Sequence, residues 1–90
     1  MQDAKLYRLQ EVYAYITSLY YQNGDITKAM ESCKSRNEIF SGLDSMSNEL
    51  IVANCVSNYD FAFLYIQKED YDQALSYFRR AIEIMKTHDS

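Results

Sequence analysis

Apolar residues recur at helical spacing along the whole chain. Leu6, Leu9, Tyr13, Ile16 and Tyr20 step by three and four residues and draw one stripe along a first helix, from about Asp3 to Gln22. Asn23-Gly24 ends it, because both residues tolerate the left-handed backbone of a helix terminus. A second helix follows at once, with Asp25 as its N-cap. Its inner stripe is Ile26, Ala29, Met30, Cys33, Asn37 and Phe40. Lys28, Glu31, Lys34, Ser35 and Glu38 take the other side, and Ser41-Gly42 stops it. A third helix starts near Asp44 to Ser47, any of whose side chains can cap it, and continues to about Lys68. Two apolar stripes run side by side along it. One is Leu50, Ile51, Phe61, Ala62 and Tyr65, interrupted by Asn54 and Asn58; the other is Val52, Val56, Tyr59, Phe63 and Ile66. A helix apolar on two sides must be covered on two sides. A fourth helix starts after Asp70, with Gln73 at the reciprocal capping-box position. Tyr71, Ala74, Leu75, Phe78, Ala81, Ile82 and Met85 form its inner stripe, and Lys86 and His88 lie where cations favour a helix C-terminus. The pattern predicts an all-α fold of two antiparallel helical hairpins.

The two hairpins read as copies of each other. An offset of 45 residues carries Ala29 onto Ala74, Leu19 onto Leu64, Tyr20 onto Tyr65, Gln22 onto Gln67, Asp25 onto Asp70, Glu38 onto Glu83 and Ile39 onto Ile84. Ile26 falls on Tyr71, Met30 on Leu75 and Phe40 on Met85, which keeps each position apolar. The chain is therefore expected to be one domain over 1–90, with a first repeat at about 3–41 and a second at about 45–88.

The second copy carries a recognisable spacing. Phe61, Ala62, Tyr65, Ala74, Phe78 and Ala81 alternate large, small and aromatic residues so that two helices approach closely and aromatics fill the gap between hairpins. In this it resembles the tetratricopeptide repeat. The first copy is weaker: Ile16, Tyr20 and Ala29 fit, while Thr17, Cys33 and Arg36 stand at small, aromatic and small positions. The usual Trp position holds Tyr13 and Asn58, the usual proline is replaced by Ser41 and Lys86, and the period is 45 where about 34 is usual. The extra residues fall between Phe40 and Asn54 and are expected to lengthen the first helix of each hairpin by about three turns. Repeats this long are similar to the helical sensor domains of bacterial peptide-responsive regulators. A HEAT-like hairpin of similar period is the competing label, and the A-x3-F-x2-A spacing of Ala74, Phe78 and Ala81 favours the tetratricopeptide one. The resemblance implies a short right-handed solenoid.

Composition narrows the function classes. The chain has 90 residues, 48% hydrophobic and 24% charged, with no proline, two glycines and no Trp. Nine Tyr suit half-wet surfaces, since the ring is apolar and the hydroxyl wants a partner. A net charge of −4 argues against direct nucleic-acid binding, which calls for a basic stripe. No apolar run approaches the ~20 residues of a membrane span, and MQDAKLYRLQ lacks the apolar core of a signal peptide, so a cytoplasmic location is expected. Cys33 and Cys55 have no metal-ligand spacing and read as small buried residues in a reducing compartment. His88, Asp89 and Ser90 are the residue types of a hydrolytic triad, but adjacent at a chain end no scaffold can orient them. No glycine-rich phosphate loop and no cofactor motif is present; neither a cofactor, a metal nor an enzyme activity is expected.

What remains is recognition. The resemblance implies that the first helix of each hairpin lines a concave groove. By register, Glu11, Ala14, Ser18, Tyr21 and Gln22 face it from the first copy, and Val52, Val56, Tyr59, Phe63, Ile66 and Gln67 from the second. The apolar stripe of the third helix then takes a peptide or partner helix, or is covered by another copy of the chain. Tyr15 and Tyr21 are expected on the surface, with Tyr13 and Tyr20 in the core. Glu69, Asp70 and Asp72 read as helix-start charges, and Arg79, Arg80 and Lys86 as a solvated face. Two repeats without a capping helix imply a self-associating chain, a homodimer, or an excised piece of a longer repeat protein. The expected function is a protein–protein interaction scaffold; the alternative is the peptide-sensing region of a larger signalling or transcriptional regulator.

Overall fold

A computed structural model describes residues 2–89. Their elements are α1 (Gln2–Gln22), α2 (Ile26–Ser41), α3 (Asn48–Gln67) and α4 (Tyr71–Asp89), with no strand among the described residues. α1 and α2 form one antiparallel hairpin and α3 and α4 the other. α3 stacks on α2 and touches α1, whereas the α4 backbone packs on α3 alone. The result is a slab of 35 × 25 × 17 Å.

The two hairpin turns are built alike. Asp25 accepts from Lys28 N at 3.0 Å and Asp70 from Gln73 N at 3.3 Å, so each second helix has a side-chain cap. The residue before each cap is left-handed: Gly24 at φ 81 and Glu69 at φ 62. The backbone N–H of Asp25 reaches the Tyr20 carbonyl and that of Asp70 the Tyr65 carbonyl, both at 2.9 Å. That last bond corrects the capping-box expectation, because the Asp70 N–H that Gln73 was to receive is already taken by Tyr65. Ser47 caps α3, accepting from Leu50 N. The first helices are long, 21 and 20 residues, and residues 42–47 take up part of the insertion as a loop.

The core lies where the hairpins meet. Ala29, Cys33, Phe61 and Leu64 form one cluster, closed by Tyr20, Met30, Tyr65 and Tyr77; Phe40, Leu50 and Ala53 form a second, closed by Leu6, Tyr7, Leu43 and Met46. Phe61, Tyr65 and Tyr77 stack with ring centroids 4.7 to 5.6 Å apart. Asn58, buried inside the inner stripe of α3, donates to the Asn54 carbonyl at 2.8 Å, so the polar interruption is satisfied within its own helix.

Three expectations about burial are corrected. Leu9 is exposed, and the α1 face turned to α2 instead buries Gln10 and Thr17. The reason is Arg36, which lies buried in α2: its Nε donates to Gln10 Oε1 and its Nη1 to Asp60 Oδ2, each at 2.9 Å. A buried guanidinium needs acceptors, and Gln10 supplies one where leucine cannot. Thr17 meets its own need by donating to the Tyr13 carbonyl at 2.7 Å. Cys33 is fully buried but Cys55 only partly, donating to the Ala81 carbonyl at 3.4 Å. Along α4, Ala74 and Ala81 are buried against α3, while Tyr71, Leu75, Ile82 and Met85 are exposed. The inner stripe of α4 is thus wider than one neighbouring helix covers.

Candidate protein-interaction surface

α3 carries an exposed apolar row on the side turned away from its core face. Its Leu50, Ala53, Ser57, Asn58, Phe61, Ala62 and Leu64 are buried. Helical geometry then turns Val52, Val56, Tyr59, Phe63, Ile66 and Gln67 to the opposite side, and all six are exposed. In α1, Ser18, Tyr21 and Gln22 are exposed, whereas Glu11 and Ala14 are half-buried, Glu11 pairing with Arg8 at 2.9 Å. The two sets meet where the Tyr21 ring stands edge-on to Phe63, 5.6 Å between centroids. Tyr59 turns instead to α4 and stands edge-on to Phe78 at 5.4 Å.

The seam between α1 and α3 opens into a cavity of about 400 Å³ lined by Tyr7, Gln10, Arg36, Asn48, Glu49, Val52, Ala53 and Val56. Apolar walls from Val52 and Val56 stand over a polar floor made by Gln10 and Arg36. A smaller apolar cavity of about 190 Å³ lies between the start of α3 and the end of α4, among Ile51, Val52, Cys55, Val56, Ile84, Met85 and His88. On the other side of α3, a crevice of about 320 Å³ separates α2 from α4, with Lys34, Glu38, Asn54, Tyr77 and Arg80 among its walls.

Burial pushes the Cys33 thiol up from 9.0 to about 12; Arg36 opposes the shift and Asp60 adds to it. Burial raises Cys55 as well, so neither thiol is ionised near neutrality. Tyr65 is raised by burial, then by Tyr77, Asp70 and Cys33. Among the described residues no group of three or more His, Cys, Asp or Glu is placed to hold a metal ion. His88 is exposed near the end of α4; Ser90 and the side chain of Asp89 lie outside the described residues. Of the acidic run, Asp70 is the α4 cap and Glu69 the left-handed turn residue. Arg79 is exposed, and the Arg80 guanidinium lies 4.5 Å over the Tyr77 ring. No described helix is long and apolar enough to cross a membrane.

The sequence pattern missed two features. The Arg36 clamp joins α1, α2 and α3 through side chains far apart in the chain, and no local spacing announces it. The other is the exposed apolar row that Val12 and Leu19 form beside Tyr15, itself expected on the surface; the repeat offered a signal for it, since Leu19 corresponds to Leu64.

Comparison with known proteins agrees with this architecture. The family model for the tetratricopeptide repeat matches residues 57–88, from the middle of α3 through α4. No curated protein and no solved structure matches the chain. Tetratricopeptide repeats are general protein–protein interaction modules, typically non-catalytic, and bind proteins or peptides. The match covers most of the second hairpin and supports a tetratricopeptide-repeat assignment for residues 57–88.

Proposed function

We propose that the chain binds a peptide or a partner helix along the exposed face of α1 and α3, and that it also associates with itself. The observation that carries this reading is the row Val52, Val56, Tyr59, Phe63 and Ile66, apolar and exposed on a helix whose other side is already core. Tyr21 against Phe63 extends the row from the second hairpin to the first. Aromatic and branched side chains on a rigid helix lose little conformational freedom on binding, which is what an anchoring surface needs. Glu11, Ser18, Gln22 and Gln67 supply polar groups at its border.

A displayed random-peptide library selected against the full chain tests the reading. Peptides enriched on the native chain should lose binding at least tenfold on Phe63→Asp, with helical content by circular dichroism unchanged. They should keep their affinity for Ile82→Asp, whose substitution lies on α4. Peptides that bind Phe63→Asp as well as the native chain would overturn the assignment of this face.

A further inference from the structure

The 45-residue repeat makes one joint of the molecule a template for two faces that none of the described residues covers. α3 seats on α2 with Ser57, Asp60 and Leu64 pointing at the first hairpin. One repeat earlier these positions are Val12, Tyr15 and Leu19 on α1. Leu64 is 3% exposed and Leu19 is 65% exposed. On the other side of the joint, Met30, Asn37 and Phe40 of α2 become Leu75, Ile82 and Met85 of α4. Phe40 is 4% exposed and Met85 is 55% exposed. α1 thus presents the α3 half of a joint, and α4 presents the α2 half.

The two open halves are also matched to each other. The internal joint contains two polar pairs, Arg36 with Asp60 and Ser57 with Asn37. Shifted by one repeat, Arg36 becomes Ala81 and Asp60 becomes Tyr15; Asn37 becomes Ile82 and Ser57 becomes Val12. The Asn37–Ser57 pair turns apolar on both sides at once, and the Arg36–Asp60 pair loses both charges at once. Replacing one partner would strand a buried charge or hydrogen-bonding group, whereas replacing both together is nearly neutral. Leu50 and Ala53 become the exposed and charged Lys5 and Arg8, so the match lies with Val12, Tyr15 and Leu19 along the later part of α1 and not with its start.

From this we infer that a second copy of the chain docks end to end, the outer face of α1 in one copy seating on the outer face of α4 in the next as α3 seats on α2. The contact joins unlike surfaces, so it leaves one free end of each kind and builds larger assemblies as concentration rises. The inference deepens the self-association reading above and rests on it.

Sedimentation of the full chain over a concentration series tests it, with Leu19→Asp blocking the α1 end and Ile82→Asp blocking the α4 end. Both positions are exposed, so helicity should hold; Tyr15→Glu and Leu75→Glu repeat the test should either aspartate lower it. The native chain should grow in mass with concentration, each variant alone should be a monomer, and an equimolar mixture of the two should form a dimer and nothing larger. A variant that still self-associates alone, or a mixture that stays monomeric, overturns the end-to-end geometry while leaving self-association standing. A native chain that stays monomeric overturns both and leaves a flanking helix as the cover for these faces.

Discussion

Arg36 shows how much one residue can organise in a thin core. Its guanidinium ties α2 to Gln10 of α1 and Asp60 of α3. Arg36→Ala strands the buried Gln10 acceptor and opens a void, and is expected to lower stability by about 2–4 kcal/mol in urea unfolding. Asp60→Asn should cost less than about 1 kcal/mol, because the Asp60 side chain is 43% exposed and water screens the pair. Cys33 makes a prediction about pH. Its packing accepts the neutral thiol only, so its contribution is complete below the ordinary value of 9.0 and is lost as pH climbs toward about 12. The gap in unfolding free energy between the native chain and Cys33→Ala should therefore be flat at neutral pH and shrink above pH 9; a constant gap would show that the thiol stays solvated.

At the scale of elements, the hairpin turns carry the repeat most faithfully. Both place a left-handed residue before an aspartate cap, but the first uses glycine and the second glutamate. Nothing stands within 4 Å of a Cβ added at Gly24, so Gly24→Ala tests the backbone alone. It should cost about 1 kcal/mol, and Glu69→Gly should stabilise by about 0.5 kcal/mol, read as shifts in denaturation midpoint. The helix boundaries and caps were legible in the sequence because they depend on neighbours within four residues. The α1 face was misread because Leu9 and Gln10 compete for the same side, and the choice is made by Arg36, 26 positions away. Hydrophobic spacing ranks leucine inward and has no means of seeing a buried cation that needs an amide.

At the scale of the whole molecule, the balance of covered and uncovered faces is the governing fact. α3 is the only described helix that packs on three others, and it still exposes an apolar row. α1 and α4, each flanked on fewer sides, leave apolar rows at the two ends. A chain that associates through such faces gains stability by mass action, so its thermal midpoint should rise with protein concentration. Differential scanning calorimetry over a hundredfold concentration range checks this, and a midpoint independent of concentration would count against self-association.

By itself the sequence determined the helical class, the two-hairpin repeat, the caps and the residues of the exposed α3 row. All of these follow from spacing and from contacts between near neighbours. The tertiary structure alone decided that Arg36 and Gln10 belong inside, that Cys55 reaches only the margin of the core, and that the α4 stripe is half uncovered. Those outcomes depend on which helix lies against which. A one-dimensional pattern marks a face as apolar, but only packing between distant elements says whether anything stands in front of it.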